Sequence, residues 1–374
     1  MKLCRIQKII SLAVLLAVGV HAAERRDLQL PKLENYVILP CDFHSHTVFS
    51  DGEVWPSLRV REAWQDGLAA LALTDHLEYL PHDKDMRLGN WERAYELALP
   101  AAEQYGLILI KGAEITRAMP PGHLNALFLN RIEPLNTKNW RDAVKAAFIQ
   151  GAFIFWNHPG WTGQQPDGVA RWYDEHSELL SAGMLHGIEI VNEDEYYPAV
   201  HQWCLEKNLT MLGNSDIHGT TAEQYNRPPA DHRPMTWVLA TERSAEAVKK
   251  ALFERRTVVY WRDQLIGRAD HLASIFSAAV VPETSVLELS QKDRVPFRLV
   301  NTTDLSFELT EGECSVGLTV PRSVSIPPGS TVILTIQKGQ EKALPQGAEL
   351  SYKVANLIVE PGKGLPIKWK VQIK

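Results

Sequence analysis

The chain has 374 residues, of which 45% are apolar and 22% are charged, a composition typical of a globular protein that can bury a large core. Its formal net charge of −6 argues against the broad basic surface that non-specific nucleic-acid binding requires. Beyond the N-terminal region, no apolar stretch is long enough to cross a bilayer.

The first 23 residues have the pattern of a secretory signal peptide. Lys2, Arg5 and Lys8 make the start basic, residues 9–20 are apolar, and small residues around Ala22 offer a cleavage site. An uncleaved membrane anchor is the alternative. Cleavage would bring the formal net charge to about −9, because three basic residues are lost. We therefore expect an exported protein, periplasmic or secreted.

Three cysteines follow the predicted signal: Cys41, Cys204 and Cys314. An odd number leaves at least one of them unpaired, and their spacing shows no disulfide framework. We expect all three to be structural residues.

Strand-like and helix-like segments alternate from residue 28 to about residue 262. Strands are predicted at residues 36–39, 68–74, 107–110, 124–129, 152–156, 187–191, 210–212 and 237–240. Helices are predicted at residues 56–66, 91–105, 140–150 and 245–255, with Pro100 as a kink in the second and Ser244 as the N-cap of the last. Such repeats indicate a parallel sheet, either open or closed into a barrel.

The pattern changes after about residue 275, where short apolar runs are separated by proline, glycine and serine clusters. This pattern predicts a small all-β domain of the sandwich type. The expected organisation is a signal peptide at 1–23, an α/β barrel at 24–275 and a C-terminal β domain at 276–374.

Histidines and carboxylates recur where the predicted strands end. His44 and His46 are two residues apart at the end of the first strand, so their side chains should point the same way, and Asp51 follows at a turn. Because the carboxyl ends of parallel strands share one face, we expect the whole set to converge there. Nine such ligands suit two or three metal ions that share a carboxylate. The set comprises His44, His46, Asp51, His76, Glu114, His123, His158, Asp216 and His218.

Two further carboxylates are assigned outside the direct ligands. Asp75 could cap a helix or brace a ligand from behind. Glu189 could brace a ligand, contact substrate or serve a structural role. Taken singly, any of the nine ligands could also be an ordinary hydrogen-bonded polar residue; the metal interpretation depends on the set.

The predicted ligands lie in a set of short motifs: Asp42-Phe43-His44-Ser45-His46-Thr47 with Asp51, Thr74-Asp75-His76, Asn157-His158-Pro159 and Ser215-Asp216-Ile217-His218, together with Glu114 and His123. This set resembles the PHP (polymerase and histidinol phosphatase) family over about residues 36–262. The resemblance implies a distorted (β/α)7 barrel that holds two or three zinc, manganese or iron ions. It also implies three ligand groups. One comprises His44, His46, Glu114 and Asp216, the second Glu114, His123 and His158, and the third Asp51, His76 and His218.

Clustered metals of this kind lower the pKa of bound water, which leads us to expect hydrolysis of a phosphate mono- or diester by metal-activated hydroxide without a covalent nucleophile. Arg117 and Arg227 are candidate phosphate contacts, with solvated surface arginines as the equal alternative. Two other functions stay open: a metal-dependent amide or ester hydrolase, and a secreted binding protein with structural metals. The expected partner is a small phosphorylated substrate, without broad nucleic-acid binding or stable membrane insertion after cleavage, and the oligomeric state stays open.

Overall fold

The structure is a computed structural model that describes residues 24–86, 88–225, 232–289, 293–314, 317–339 and 346–374. The predicted signal peptide, residues 1–23, lies outside these ranges. Within them, none of the helices combines the length and the apolar character that a membrane crossing requires.

Strands and helices alternate through the first part of the chain, as the sequence predicts. The strands are β1 (Val37–Asp42), β2 (Ala70–Leu73), β3 (Ile108–Ile115), β4 (Leu124–Leu127), β5 (Phe153–Trp156), β6 (Gly187–Asn192), β7 (Glu195–Tyr196), β8 (Thr210–Asn214), β9 (Met235–Ala240), β10 (Thr257–Trp261) and β11 (Gln264–Gly267). The helices are α1 (Pro56–Gln65), α2 (Asp83–Met86), α3 (Arg93–Tyr105), α4 (Trp140–Ile149), α5 (Asp174–Ser181), α6 (Pro198–Glu206), α7 (Thr221–Tyr225), α8 (Ala245–Phe253) and α9 (Ala269–Ala279).

Local sequence accounts for several helix boundaries. The Ser244 hydroxyl accepts a hydrogen bond from the Ala247 backbone N–H at 3.1 Å and caps α8 as expected. Helix α3 ends at Gly106, whose φ of 63° is left-handed. Pro100 lies inside α3 without ending it, and the helix is held by burial of the Ala98 and Ala102 side chains against the core.

The strands of this part form a distorted barrel in the order β9–β1–β2–β3–β4–β5–β6–β8. The pairs β1–β2, β2–β3, β5–β6 and β6–β8 are parallel, whereas β4 runs antiparallel to both neighbours and β9 runs antiparallel to β1. Between β8 and β9 the Thr236 hydroxyl contacts the backbone N–H and carbonyl of Gly213, each at 2.9 Å. The predicted distorted barrel is therefore confirmed, although none of the described strand pairings closes it between β8 and β9.

The reversal of β4 determines where His123 lies. His123 directly precedes β4, and Glu114 lies near the end of β3. Because β3 and β4 are antiparallel, with Glu114 opposite Asn125, the start of β4 lies at the same mouth as the ends of its neighbours. A ligand at the beginning of a strand can therefore join ligands at the ends of others.

The C-terminal part is all-β, as predicted. Its strands are β12 (Val280–Pro282), β13 (Val286–Leu287), β14 (Arg294–Asn301), β15 (Phe307–Cys314), β16 (Leu318–Thr319), β17 (Val324–Ile326), β18 (Thr331–Lys338), β19 (Gly347–Glu360) and β20 (Lys363–Ile373). One sheet has the order β12–β14–β18–β16, and the other contains β13, β20, β19, β15 and β17. Buried side chains of both sheets, such as Phe297 and Leu350, share one core.

The barrel and the β part are packed together. Strand β11 pairs in parallel with β19, with Leu265 opposite Leu357. Phe276 of α9 packs edge-on against Phe307, with ring centroids 5.3 Å apart. One apolar cluster contains these residues as well as Leu71 of the barrel, so the two parts share a hydrophobic core.

Candidate metal centre

The segment after β1 carries the two histidines of the predicted first group. The strand ends at Asp42, two residues before His44, but the chain continues in contact with its neighbours: Ser45 bridges to Ile217, and the His46 N–H donates to the Ile217 carbonyl at 3.0 Å. The side chains of His44 and His46 are both fully buried, and their ring centroids lie 5.1 Å apart. The predicted alternation of side chains therefore holds beyond the end of the strand.

Glu114 and Asp216 close this first group. The Nε2 atom of His44 lies 3.2 Å from Glu114 Oε2 and 3.0 Å from Asp216 Oδ1. The Nε2 atom of His46 lies 3.3 Å and 3.0 Å from the same two oxygens. Four side chains from distant parts of the sequence thus direct one ligand atom each toward a common point.

The other oxygen of Glu114 faces the second group. His123 Nδ1 lies 2.5 Å from Glu114 Oε1, and His158 Nε2 lies 4.0 Å from it. His158 Nε2 is also 3.9 Å from Asp216 Oδ2. Glu114 therefore stands between the two groups, as a shared carboxylate must.

The third group forms around Asp51. Its Oδ1 atom lies 3.3 Å from the Nε2 atoms of both His76 and His218. His46 Nδ1 is 3.9 Å away. His76 also approaches Glu114 Oε2 through Nδ1, at 3.1 Å, so this group adjoins the others. The structure thus brings all nine predicted ligands into one continuous cluster.

The chemistry of this cluster fits divalent metal ions. Ligand atoms within each of three sets lie inside 4.8 Å of one another: His46, Asp51, His76 and His218; His44, His46 and Glu114; and His76, Glu114 and His123. Several of these atoms are buried and close together but make no hydrogen bond: His46 Nε2, Asp51 Oδ1, Glu114 Oε1 and His123 Nδ1. Buried polar atoms without partners are rare in native proteins, and a cation at their focus would satisfy them.

Electrostatics point to the same conclusion. Burial opposes ionisation of Glu114, but nearby imidazoles, above all His76 and His123, hold its pKa well below the ordinary value. Burial likewise opposes ionisation of Asp216, and His44 and His46 hold its pKa well below the usual range. Burial lowers the pKa of His76, yet Glu114 and Asp51 raise it to about 11. The buried carboxylates stay charged and draw positive charge into the centre.

Two carboxylates behind the cluster fix the orientation of the first two histidines. Glu189 accepts a hydrogen bond from His44 Nδ1 at 2.8 Å, which leaves Nε2 of His44 facing the centre. Asp75 accepts from the Ser50 hydroxyl at 2.8 Å, and Ser50 in turn lies 3.3 Å from His46 Nδ1. Neither carboxylate is among the residues of the three ligand sets. Such outer contacts select the tautomer of a metal-binding histidine.

Arg59 supports the cluster in a way that the sequence pattern did not reveal. It projects from α1, is fully buried, and donates to the backbone carbonyls of His46 at 3.0 Å, His218 at 2.9 Å and Gly219 at 2.9 Å. The guanidinium thereby ties together the two loops that carry His46 and His218. On α1 it shares the buried face with Pro56, Val60 and Ala63, and its backbone partners cannot be read from the sequence.

Of the two candidate phosphate contacts, Arg117 and Arg227, the structure describes only Arg117. Arg117 pairs with Glu78 at 2.6 Å and donates to the Thr137 carbonyl at 2.6 Å, so its guanidinium is engaged with protein groups. Arg227 lies outside the described residues.

Of the cysteines, Cys41 and Cys204 are fully buried, and burial raises the pKa of both thiols, as suits structural residues.

A cleft of about 630 Å³ opens onto the cluster. Its walls include the ligands Asp51, His76 and His123 together with Tyr79 and Trp161. Trp161 is not among the predicted site residues, but it lies three residues after the predicted ligand His158, and the flanking Gly160 and Gly163 are the sequence signal of a loop there. The cleft gives a molecule from solvent access to the ligand cluster.

Comparisons with known proteins agree with this geometry. The family model of the PHP domain matches residues 42–211, and that of an Ig-like domain matches residues 281–370. A crystal structure of a two-domain protein from Bacteroides vulgatus, described as containing a predicted PHP-like metal-dependent phosphoesterase, is 43% identical, with a TM-score of 0.87; the match covers 93% of this chain and 99% of that one.

Two other matches are more limited. An uncharacterized protein of Methanocaldococcus jannaschii is 36% identical over 84 residues, and the match spans 21% of this chain and 34% of that protein's length. An amidohydrolase from Chromobacterium violaceum is 17% identical, with a TM-score of 0.37, over 49% of this chain and 89% of its own. Given the nearly complete match to the Bacteroides protein, the chain belongs to the PHP family, with an Ig-like domain at its C-terminal end.

Proposed function

We propose that the protein hydrolyses phosphate mono- or diesters with the help of two or three divalent metal ions. The observation that carries the proposal is the arrangement around Glu114, whose two oxygens are approached by imidazoles from both sides beside an open cleft. Structural metal sites are usually closed by four protein ligands, whereas catalytic sites keep an open position. The cleft favours the catalytic alternative over a purely structural one.

The three groups of side chains described above would hold the ions. When bound there, divalent metals supply hydroxide near neutral pH and offset the charge that builds up on the phosphoryl oxygens. Zinc, manganese and iron all suit mixed histidine and carboxylate ligands.

The chain's own residues supply orientation. Glu189 holds the His44 ring, and the Ser50 and Asp75 pair holds the His46 ring, so both present Nε2 to the centre. His218 donates through Nδ1 to the backbone carbonyl of Asp216 at 2.7 Å, which also leaves its Nε2 facing inward. Prearranged ligands of this kind reduce the reorganisation needed during reaction.

The test is a panel of phosphomonoesters and phosphodiesters, assayed with added manganese or zinc. Asp216→Asn and His76→Ala should lower kcat/KM by at least ~100-fold, because each removes a predicted ligand. The matched control is His82→Ala, since His82 is exposed and lies outside the cluster. Full activity in both ligand variants would refute the assigned site.

The same panel separates the alternatives. Inhibition by inorganic phosphate without cleavage of any phosphoester would favour the amide or carboxyl-ester hydrolase. Metal binding without turnover of either substrate class would favour the secreted binding protein.

Export is part of the same proposal, and its support is the pattern of residues 1–23. Cell fractionation and N-terminal sequencing test it, because a cleaved product should begin near residue 23 or 24. Retention of the intact N-terminus in the cytoplasm would contradict export.

A further inference from the structure

One wall of the cleft carries a large aromatic side chain that the metal ligands do not explain. Trp161 is 44% exposed, and its ring centroid lies 5.7 Å from that of His123 and 5.2 Å from that of His158. The indole therefore borders the ligand cluster and faces the cleft that opens onto it.

Hydrogen bonds hold the backbone at Trp161. The Trp161 backbone N–H donates to the His158 carbonyl at 3.0 Å, and the Trp161 carbonyl accepts from the backbone N–H groups of Gln164 at 2.9 Å and Gln165 at 2.8 Å. A Cβ added to Gly163 would lie 2.4 Å from Trp161 Cζ2, so the glycine makes room for the ring. A tryptophan side chain has only two rotatable bonds, so it loses little conformational entropy when a ligand packs on it.

The rest of the cleft is aromatic and apolar in character. Tyr79 is 56% exposed and lies beside His76, with ring centroids 6.2 Å apart, while Met119 adds a flexible apolar surface. Among the described residues of its wall, none is lysine or arginine. The described part of the cleft wall thus offers an aromatic surface on which a ligand can stack.

We propose that the preferred substrate carries its phosphate on a group with a flat aromatic ring, which stacks on Trp161. This rests on the proposed function, because it places the phosphoryl group at the metal cluster. Base–aromatic stacking contributes about 1–3 kcal/mol, which corresponds to binding that is about five- to 150-fold tighter. Trp161 then determines specificity without taking part in the chemistry.

The experiment measures binding by calorimetry to the full-length, metal-loaded protein, with three phosphonates as probes. Benzylphosphonate carries the flat ring, cyclohexylmethylphosphonate has similar bulk without it, and ethylphosphonate has neither. For the parent we expect benzylphosphonate to bind about tenfold more tightly than ethylphosphonate. The ratio should fall to about twofold or less in Trp161→Leu, since leucine offers no ring face.

Trp55→Leu is the matched control, because Trp55 is 39% exposed but is not part of the cleft wall. It should leave the benzyl-to-ethyl ratio unchanged. An equal ratio in the parent and in Trp161→Leu would overturn the proposal, as would equal affinity for the benzyl and cyclohexylmethyl probes. Hydrolysis of ethyl phosphate tests the proposed function separately, because this ester has no ring to stack.

Discussion

The His176 ring contacts the chain at both Tyr173 and Pro121, and it must be neutral to make both contacts at once. The Tyr173 N–H donates to His176 Nδ1 at 3.2 Å, and Nε2 donates to the Pro121 carbonyl at 2.8 Å. The ring is fully buried and stacks on Trp156, with centroids 3.6 Å apart. A proton on Nδ1 would displace the Tyr173 N–H, so protonation breaks this contact, while Nε2 can still donate to the Pro121 carbonyl.

The size of the effect follows from the pKa. Burial lowers the pKa of His176 from 6.5 to about 4, against smaller opposing effects of the Pro121 carbonyl and Glu175. The unfolded chain therefore binds more protons between pH 6.5 and 4, and folding stability falls as the pH drops through this window. The full loss is about 3 kcal/mol, with a slope of about 1.2 kcal/mol per pH unit near pH 5. Above pH 6.5 both states are neutral and the stabilisation is complete.

The assay is urea unfolding of the parent and His176→Gln, followed by tryptophan fluorescence at several pH values from 4.5 to 8. Glutamine keeps a donor and an acceptor but does not titrate, so its slope near pH 5 should be shallower by about 1.2 kcal/mol per pH unit. Titration of the metal ligands cancels in the difference between the two proteins. His82→Gln, an exposed site, should follow the parent. Identical slopes for the parent and His176→Gln would refute the reasoning.

Three further predictions concern the metal centre and the domain contact. Arg59→Lys should lower stability by about 2–3 kcal/mol, because a lysine cannot reach all three backbone carbonyls, and thermal unfolding measures the loss. Manganese or zinc, at a concentration a hundredfold above its Kd for the parent, should raise the free energy of unfolding of the parent by about 2.7 kcal/mol. The same concentration should stabilise His76→Ala by clearly less, and equal stabilisation of both proteins would contradict the ligand role of His76. A chain that ends at residue 279 should be insoluble or partly unfolded, since it exposes the core around Leu265 and Phe276, and a soluble, cooperative product would contradict a shared core.

Much of the site was predictable because a short polar segment followed each buried strand. The direction of β4 was not predictable, since a strand buried on both faces reads the same whichever way it runs. Arg59 was hidden for a different reason: its partners are backbone carbonyls about 160 residues away along the chain, at His218 and Gly219, and carbonyls leave no mark in a sequence. The boundaries predicted at residues 23 and 275 stay predictions.

The position of His76 shows how contacts can resolve an ambiguity in the ligand groups. Distances alone place His76 both with Asp51 and His218 and with Glu114 and His123. A neutral imidazole has one nitrogen free to bind a metal while the other carries a proton. His76 Nδ1 lies 2.6 Å from the Thr116 hydroxyl, so that nitrogen has a hydrogen-bond partner, whereas Nε2 faces Asp51 at 3.3 Å.

The Thr116 contact therefore favours the group of Asp51 and His218 for His76, and the grouping that family resemblance implies stays a prediction. His76 Nδ1 also lies close to Glu114 Oε2. When Nδ1 carries the proton, its N–H can donate to this carboxylate as well as to the Thr116 hydroxyl. In this arrangement His76 of the third group donates a hydrogen bond to Glu114, the carboxylate that lies between the first two groups. The charges of the three groups therefore influence one another. Loss of any one ligand should for this reason weaken metal binding in more than its own group.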